Sequence, residues 1–282
     1  MHFHNPTVDV LVPDGATLDA ALARTTHLGI GAHQDDLEIA MIHGPMECFG
    51  RADRWFTGVT CTDGAGSARS GLYANYTDDD MKKVRQQEQR AAAYVGRYSA
   101  VLQLGYTSKQ VRTPGDSSLE NDLIQILKAA RPEVVYTHNA ADKHATHLGI
   151  VSAAIRAMKR LPAAERPKKV YGCEAWRGLD WLPDNRKVVL DISQHGNLVA
   201  AMLGMFDSQI AGGKRYDLAA VCRFRANATF LESHAVDKTE MAMYAMDLTP
   251  VVHDDKLDLG AYVTGLIDEF RQQAQTALAA VR

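Results

Sequence analysis

Residues 27–38 read HLGIGAHQDDLE, a short apolar run followed directly by an imidazole and two adjacent carboxylates. The apolar part, residues 27–32, has the length of a buried strand, and the polar part begins where that strand would end. In an open parallel sheet, ligands bind beyond the carboxyl ends of the strands. This stretch therefore predicts both the first strand of an α/β sheet and one wall of an active site.

Other apolar runs extend the predicted sheet, and segments of helical periodicity lie between them. Further strands are predicted at residues 55–62, 101–104, 134–137, 170–174 and 188–192. Helices are predicted at residues 80–95, 119–130, 146–158, 194–210 and 262–281. Strands that alternate with helices are typical of a parallel sheet. We therefore predict an α/β fold, a three-layer Rossmann-like domain with a mostly parallel sheet. No shift in composition divides residues 1–282 into more than one domain.

The composition disfavours several classes of protein. Lys and Arg total 31 against 34 Asp and Glu, so the formal net charge of -3 gives no general attraction to nucleic acid or anionic membranes. No run approaches the roughly 20 apolar residues that a membrane-spanning helix needs. The first residues, MHFHNPTVDV, lack the pattern of a secretory signal. We expect a cytoplasmic enzyme that acts on a small molecule, and a homo-oligomer is compatible with the sequence.

The string His33-Gln34-Asp35-Asp36 has the composition of a metal site. Imidazole nitrogens and carboxylate oxygens suit a cation such as zinc, and catalytic zinc sites commonly use three protein ligands with one open position. A loop can bring His33 and Asp36 to one ion, which leaves Asp35 free to act on a water molecule.

A second candidate loop follows the strand predicted at residues 134–137. It contains His144 and His147, which are three positions apart and share a face if a helix has begun there. Such a pair is weak evidence by itself, because surface or capping histidines give the same spacing. Placement after two buried strands is what joins the two loops into one predicted site.

Together the two loops resemble the PIG-L/LmbE-like family of zinc-dependent N-deacetylases. The first motif of that family reads AHPDD, followed one residue later by Glu, and its later motif reads HPDH. The matching strings in this chain are AHQDDLE at residues 32–38 and HATH at residues 144–147. The resemblance also includes the TDG turn at residues 62–64 and the RQQE segment at residues 85–88, and it spans residues 27–155 best.

The resemblance implies a metal, a set of site residues and their roles. Zn²⁺ is the expected metal, and Fe²⁺ or Co²⁺ would suit the same ligands. The implied metal ligands are His33, Asp36 and His147. Asp35 is the implied general base, and a protonated His144 is implied to stabilise the oxyanion. Arg85 matches a position whose arginine contacts the sugar substrate in relatives.

Two positions depart from the family motifs. Gln34 replaces a proline, which we expect to change only the stiffness of the loop. Thr146 replaces an aspartate that in relatives can hydrogen-bond and orient an active-site histidine. Either another acid supplies that function, with Asp142 as the candidate, or the catalytic histidine is tuned differently.

The expected reaction is amide hydrolysis of an N-acetylglucosamine-type substrate, which releases acetate and a free amine. An amidase that cleaves a larger sugar-thiol conjugate would use the same residues with a wider cleft. A catalytically inactive binding protein of the same fold is a third alternative, because of Thr146. A dinucleotide-binding module is disfavoured, since the first strand ends in AHQDD and not in a glycine-rich turn.

A few polar and aromatic residues follow the later strand-like segments. Glu174 is the last residue of the strand predicted at residues 170–174, Trp176 follows it, and residues 232–234 (ESH) follow another strand-like segment. They are as well placed to line a substrate cleft as to be ordinary loop residues, so the sequence leaves both interpretations open.

Overall fold

The computed structural model describes residues 1–281, and within that range the chain forms one eight-stranded sheet flanked by helices. The strands are β1 (Asp9–Leu11), β2 (His27–Gly31), β3 (Phe56–Thr62), β4 (Ala100–Tyr106), β5 (Val134–His138), β6 (Lys169–Cys173), β7 (Lys187–Asp191) and β8 (Ala242–Asp247). The helices are α1 (Leu18–Ala23), α2 (Asp36–Ala40), α3 (His43–Cys48), α4 (Asp78–Val95), α5 (Ser108–Val111), α6 (Ser118–Ala130), α7 (Ala145–Lys159), α8 (Gly196–Leu203), α9 (Tyr216–Phe230), α10 (Thr249–His253) and α11 (Leu259–Ala280). Residue 282, the last position of the predicted single domain, lies outside the described residues.

The sheet has a parallel centre and antiparallel edges. Its strand order is β1-β4-β3-β2-β5-β6-β8-β7. Strands β4, β3, β2, β5 and β6 run parallel, whereas β1 and β8 are antiparallel to their neighbours. The chain order reverses between β2 and β5, and such a reversal opens a crevice at the carboxyl ends of the two strands. The predicted α/β fold class with a mostly parallel sheet is confirmed.

Apolar side chains cover both faces of the sheet, and β2 shows how the sequence divides them. Leu28 and Ile30 point into the cluster that packs under α6 and α7. The intervening Gly29 faces the other cluster, where a Cβ atom would lie 2.7 Å from the ring of Phe56. The run HLGIG therefore alternates large and absent side chains, because one face packs against helices and the other against the Phe56 ring.

The six predicted strands correspond to β2 to β7, but two strands were not predicted. The edge strand β1 has only three residues, which is too short for a periodic signal. The sequence of β8, AMYAMD, contains no β-branched residue, so its composition does not favour a strand. Its partners β6 and β7 impose the extended conformation from either side.

The helix predicted at residues 194–210 is wrong as a continuous element. Helix α8 ends at Leu203 with Gly204 as its cap, and a separate 3₁₀ turn follows at Asp207–Gln209. Helix α9 was not predicted, since only Ala220, Phe224 and Asn227 on it are buried and its apolar face is narrow. Among residues 1–281, no helix combines the length and the apolar character needed to cross a membrane.

We expect a Leu→Ala substitution in the apolar cluster between the sheet and α6 to lower the free energy of unfolding far more than the same change on an exposed helix. Leu123→Ala removes a fully buried side chain of α6, and it should lower the free energy of unfolding by about 2–5 kcal/mol. Leu278→Ala on α11 is the matched control, because that side chain is 58% exposed; it should cost less than about 1 kcal/mol. Urea denaturation of both variants measures the difference, and equal losses would contradict this packing.

Candidate metal centre

The reversal of chain order brings the two motif loops to the same edge of the sheet. Strands β2 and β5 pair in register, with Ile30 opposite Thr137, so the loops that follow them begin side by side. The Oδ2 atom of Asp36 lies 3.3 Å from Nδ1 of His33 and 3.5 Å from Nε2 of His147. The ligand atoms of these three residues all lie within 4.8 Å of one another. The structure thus places the three predicted metal ligands in one cluster.

The spacing and charge of this cluster fit a small divalent cation. Two ligands of a tetrahedral zinc ion, each about 2.0–2.1 Å from the metal, are about 3.3 Å apart. The two measured spacings around Asp36 are close to that separation. Although burial opposes ionisation, His147 and His138 hold the pKa of Asp36 well below 3.8, so Asp36 is present as the anion that a cation requires.

Asp142 orients His147, which resolves the question raised by Thr146. The Nδ1 atom of His147 lies 2.9 Å from Oδ2 of Asp142. An ionised carboxylate can only accept, so Nδ1 carries the proton and Nε2 is the nitrogen that faces Asp36 and His33. A carboxylate that fixes the tautomer of a histidine ligand is a common support of metal sites. The acid comes from the loop at residues 139–144 and not from position 146.

His138 was not singled out from the sequence, yet it lies against the predicted ligands. Its ring stacks on that of His147 with centroids 3.8 Å apart, and its Nε2 is 3.3 Å from Oδ2 of Asp36. The backbone N–H of Ala32 donates to the same Nε2 at 2.9 Å, so this lone pair is already used. His138, Asp142 and His147 form a second cluster of potential ligands. The Ala32 contact makes His138 a support for the first cluster rather than a competitor.

Asp35 occupies a strained position between the two ligands of the first loop. Its φ angle of 105° lies in the left-handed region, which a residue with a side chain rarely adopts. Its carboxylate is buried and lies 3.0 Å from the guanidinium of Arg85. Burial raises the pKa of Asp35, while Arg85 opposes the rise. Arg85 also donates to the backbone oxygen of Gln34 and to the hydroxyl of Ser67, so it anchors the loop that carries Asp35.

A buried network beneath the loop holds the backbone of Asp35. The side-chain oxygen of Gln89 accepts from the N–H of Asp35 at 3.3 Å, and its Nε2 donates to Oε1 of Glu38 at 2.9 Å. The hydroxyl of Tyr98 donates to the same Glu38 oxygen at 2.7 Å. Burial raises the pKa of Glu38 to about 8. The glutamate of the AHQDDLE string therefore supports the loop from below, on the side away from the cavity.

Gln34 does more than change the stiffness of the loop, which corrects the expectation for this departure from the family motif. Its Nε2 donates to the backbone oxygen of Thr62 at 3.1 Å and to the side chain of Gln103 at 3.2 Å. A proline has no polar side chain and could not make these contacts. Gln34 therefore ties the first motif loop to the end of β3 and the middle of β4.

His144 lies beside the ligand cluster without joining it. Its ring centroid is 5.0 Å from that of His33 and 4.6 Å from that of His147. Burial lowers the pKa of His144, and the neighbouring His147 and His33 lower it further. A neutral ring disagrees with the protonated His144 of the sequence-based expectation, but it still offers one N–H donor. The neighbouring Thr146 is buried and lines the same cavity.

A cavity of about 830 Å³ opens over the cluster. This volume lies within the range of about 300–1,000 Å³ that is typical of small-molecule sites. The predicted site residues line it, and Glu174 and Trp176 do so as well, which decides the sequence alternatives in favour of a place in the cleft. Residues 232–234 are exposed and are not part of the lining.

The sequence comparison agrees with this arrangement. Residues 28–158 match the family described as PIG-L: GlcNAc-PI de-N-acetylase. Residues 28–158 therefore resemble a PIG-L domain. The match spans β2 to α7 and includes both motif loops, so it confirms the family resemblance. Comparison with curated proteins gave no match.

Solved structures with the same fold include enzymes of different kinds. N,N'-diacetylchitobiose deacetylase from Pyrococcus horikoshii has a TM-score of 0.62 at 15% identity, over 86% of this chain and 91% of its own. The 4-carboxy-2-hydroxymuconate hydratase from Pseudomonas putida has a TM-score of 0.60 at 18% identity, over 79% and 96%. A zinc-inhibited form of teicoplanin deacetylase has a TM-score of 0.57 at 14% identity, over 79% and 97%. At these identities the likeness shows the fold alone, and a fold does not determine a reaction.

The TDG turn offers a test of how tightly the first motif loop is packed. A Cβ atom on Gly64 would overlap Oε1 of Gln34 and lie 3.1 Å from Cδ of Arg85, whereas one on Gly50 would meet nothing within 4 Å. Both glycines have a φ of 73°, so alanine costs each about 1–2 kcal/mol of backbone strain. We expect Gly64→Ala to lower the melting temperature further than Gly50→Ala, since it adds the clash. Equal melting temperatures of the two variants in differential scanning calorimetry would show that the loop moves to accommodate the added methyl group.

Proposed function

We propose that this chain is a zinc-dependent N-deacetylase, a C–N hydrolase that acts on a small N-acetylglucosamine-type substrate and releases acetate and a free amine. The observation that carries the proposal is the cluster of His33, Asp36 and His147 with a buried carboxylate, Asp35, next to it at the base of a large cavity. The PIG-L match over residues 28–158 supports this reaction over others that the fold accommodates.

His33, Asp36 and His147 would hold the metal, and Fe²⁺ or Co²⁺ would suit the same donors as Zn²⁺. When bound, such an ion supplies Lewis acidity toward water and the amide carbonyl. The support of Asp142 behind His147 and the anionic state of Asp36 fit this role. A relative by fold, teicoplanin deacetylase, was crystallised in a zinc-inhibited form.

Asp35 is the proposed general base and acid. It takes one proton from the water that attacks the amide carbon, and it returns that proton to the leaving nitrogen as the C–N bond breaks. One water is thereby divided between acetate and amine. Arg85 keeps the carboxylate in place through the 3.0 Å contact, and the network of Gln89, Glu38 and Tyr98 fixes the backbone beneath it.

His144 and Arg85 are the proposed contacts to the substrate. The ring of His144 borders the cavity next to the ligand cluster, where one N–H can donate to the carbonyl oxygen as it gains negative charge. Arg85 also lines the cavity, although its guanidinium is committed to Asp35, Gln34 and Ser67. We therefore assign Arg85 first to holding Asp35 and second to touching the sugar.

The size of the cavity favours one alternative reaction. About 830 Å³ leaves room for a substrate larger than a single N-acetylated sugar, so an amidase of a bulkier sugar-thiol conjugate is the second candidate. The third alternative, an inactive binding protein, depended on Thr146, and Asp142 weakens it by providing the missing carboxylate. Acetate release measured over a panel of N-acetylglucosamine derivatives, beside thiol conjugates of glucosamine, separates the first two reactions. An active protein that releases no acetate from any of them would overturn the deacetylase.

Asp35→Asn should keep the metal and lose turnover. The amide cannot accept the proton of the attacking water, so kcat should fall by about 100-fold or more, while the metal content stays at that of the unaltered protein. Acetate release and metal analysis by mass spectrometry measure the two quantities. Asp268→Asn on the exposed face of α11 is the control and should change neither. Normal turnover by Asp35→Asn would reject Asp35 as the base.

Zinc affinity should distinguish the proposed ligand His147 from Asp142, the residue that orients it. His147→Ala should lose zinc and activity together, because it removes one of three ligands. Asp142→Asn should bind zinc about 10–100-fold more weakly, since only the orienting carboxylate is lost. Competition against a chelating dye measures both affinities. Unchanged zinc affinity in His147→Ala would show that zinc binds at another site.

A further inference from the structure

Glu174 stands at the same edge of the sheet as the metal cluster, but no step proposed above uses it. It follows Cys173, the last residue of β6, and Cys173 pairs in register with His138 at the end of β5. The backbone N–H of Asn139 donates to the oxygen of Cys173 at 2.9 Å. Glu174 therefore projects from the strand next to the one that carries the second motif loop.

One oxygen of the Glu174 carboxylate lacks a partner. The side chain is more than nine-tenths buried and lines the cavity. Its Oε2 accepts from the backbone N–H of Leu179 at 3.2 Å. Its Oε1 is also buried and has no hydrogen-bond donor within residues 1–281. An unsatisfied buried carboxylate oxygen is costly, so a donor on a bound ligand would be favoured there.

Two aromatic rings form a corner in the same cavity. The rings of Trp176 and Tyr216 meet nearly edge to face, with centroids 6.1 Å apart and planes at 83°. Both residues line the cavity, and Trp176 remains 37% exposed. Aromatic rings present broad apolar area with little conformational freedom, which suits the apolar C–H faces of a pyranose.

The surrounding charges indicate a neutral donor rather than a cation. Three further cationic residues, Arg112, Lys214 and Arg223, line the cavity and would repel a positively charged ligand. Burial raises the pKa of Glu174 and nearby Asp142 adds to the rise, which also lowers its attraction for a cation. A sugar hydroxyl supplies a neutral donor next to an apolar ring face.

We propose that Glu174, Trp176 and Tyr216 form a sugar-binding subsite, in which Oε1 of Glu174 accepts a hydrogen bond from a hydroxyl of the substrate and the aromatic corner packs against its ring. The subsite deepens the proposed function, because it names the part of the substrate that is recognised apart from the amide. It predicts a substrate with a neutral polyhydroxylated ring.

The variant Glu174→Gln isolates the unpartnered oxygen. The amide oxygen of glutamine can still accept from the N–H of Leu179, so the loop keeps its contact. Only the unpartnered atom changes, from an acceptor to a donor. Glu133→Gln is the matched control, because Glu133 is exposed just before β5, at the opposite edge of the sheet.

Two measurements test the subsite separately from the reaction. Methyl β-D-glucoside has no amide, and in an NMR titration it should bind Glu174→Gln about tenfold more weakly than the unaltered protein or Glu133→Gln. In acetate release, Glu174→Gln should raise KM for N-acetylglucosamine about tenfold, change kcat by less than about twofold, and leave hydrolysis of N-acetylcyclohexylamine unchanged. The last substrate has the ring and the amide but no hydroxyl.

The possible outcomes distinguish failure of the subsite from failure of the proposed deacetylase. Absence of glucoside binding to the unaltered protein, or equal binding to Glu174→Gln, overturns the subsite even if acetate is released. Absence of acetate release with intact, Glu174-dependent glucoside binding overturns the deacetylase and leaves the subsite standing. A kcat loss that is equal for N-acetylglucosamine and N-acetylcyclohexylamine would show a structural role for Glu174 and reject the subsite.

Discussion

The buried carboxylate of Asp36 is the group on which the rest of the site depends. Its Oδ2 accepts from the N–H groups of Ala32 at 3.1 Å and His33 at 2.7 Å, and it lies 3.3 Å and 3.5 Å from ring nitrogens of His33 and His147. An anion in a dry interior is tolerable only with such compensation. The compensation comes from two loops that are distant in sequence, so this one charge requires β2 and β5 to be neighbours.

The sequence patterns of single segments predicted most strands of the sheet. They failed where contacts with neighbouring elements, rather than the composition of the segment, determine its structure. Apolar runs rich in β-branched or aromatic residues predicted β2 to β7 because each carries its own signal. Strand β8 consists mostly of Ala and Met, without a β-branched residue, and pairing with β6 and β7 imposes its extended conformation. Similarly, residues 194–210 have helical spacing, but Gly204 ends the helix and the 3₁₀ turn after it is held by Glu88, which accepts from both the N–H and the hydroxyl of Ser208.

The candidate site divides in the same way. The short spacings within His33-Gln34-Asp35-Asp36 and within residues 144–147 are visible in the sequence, and parallel strands account for their meeting. The stack of His138 on His147 depends on strand register, and the contact of Gln34 with Gln103 depends on which strand lies second from β2, on the far side of β3. Neither the register of the strands nor their order in the sheet can be predicted from the sequence of one segment alone. Asp142 could be predicted in part: the sequence named it as a candidate replacement for the missing acid, and the structure was needed to show that it contacts His147.

The separation of the two motif loops along the chain also has a kinetic side. During synthesis, His33 and Asp36 emerge together with β2, and β3 and β4 complete one wing of the sheet before β5 and α7 exist. A nascent chain of that length holds two of the three proposed ligands and lacks His147. An ion bound as proposed could therefore be held by all three ligands only after β5 and α7 have joined the sheet. Its binding free energy would then add to the stability of the contact between β2 and β5.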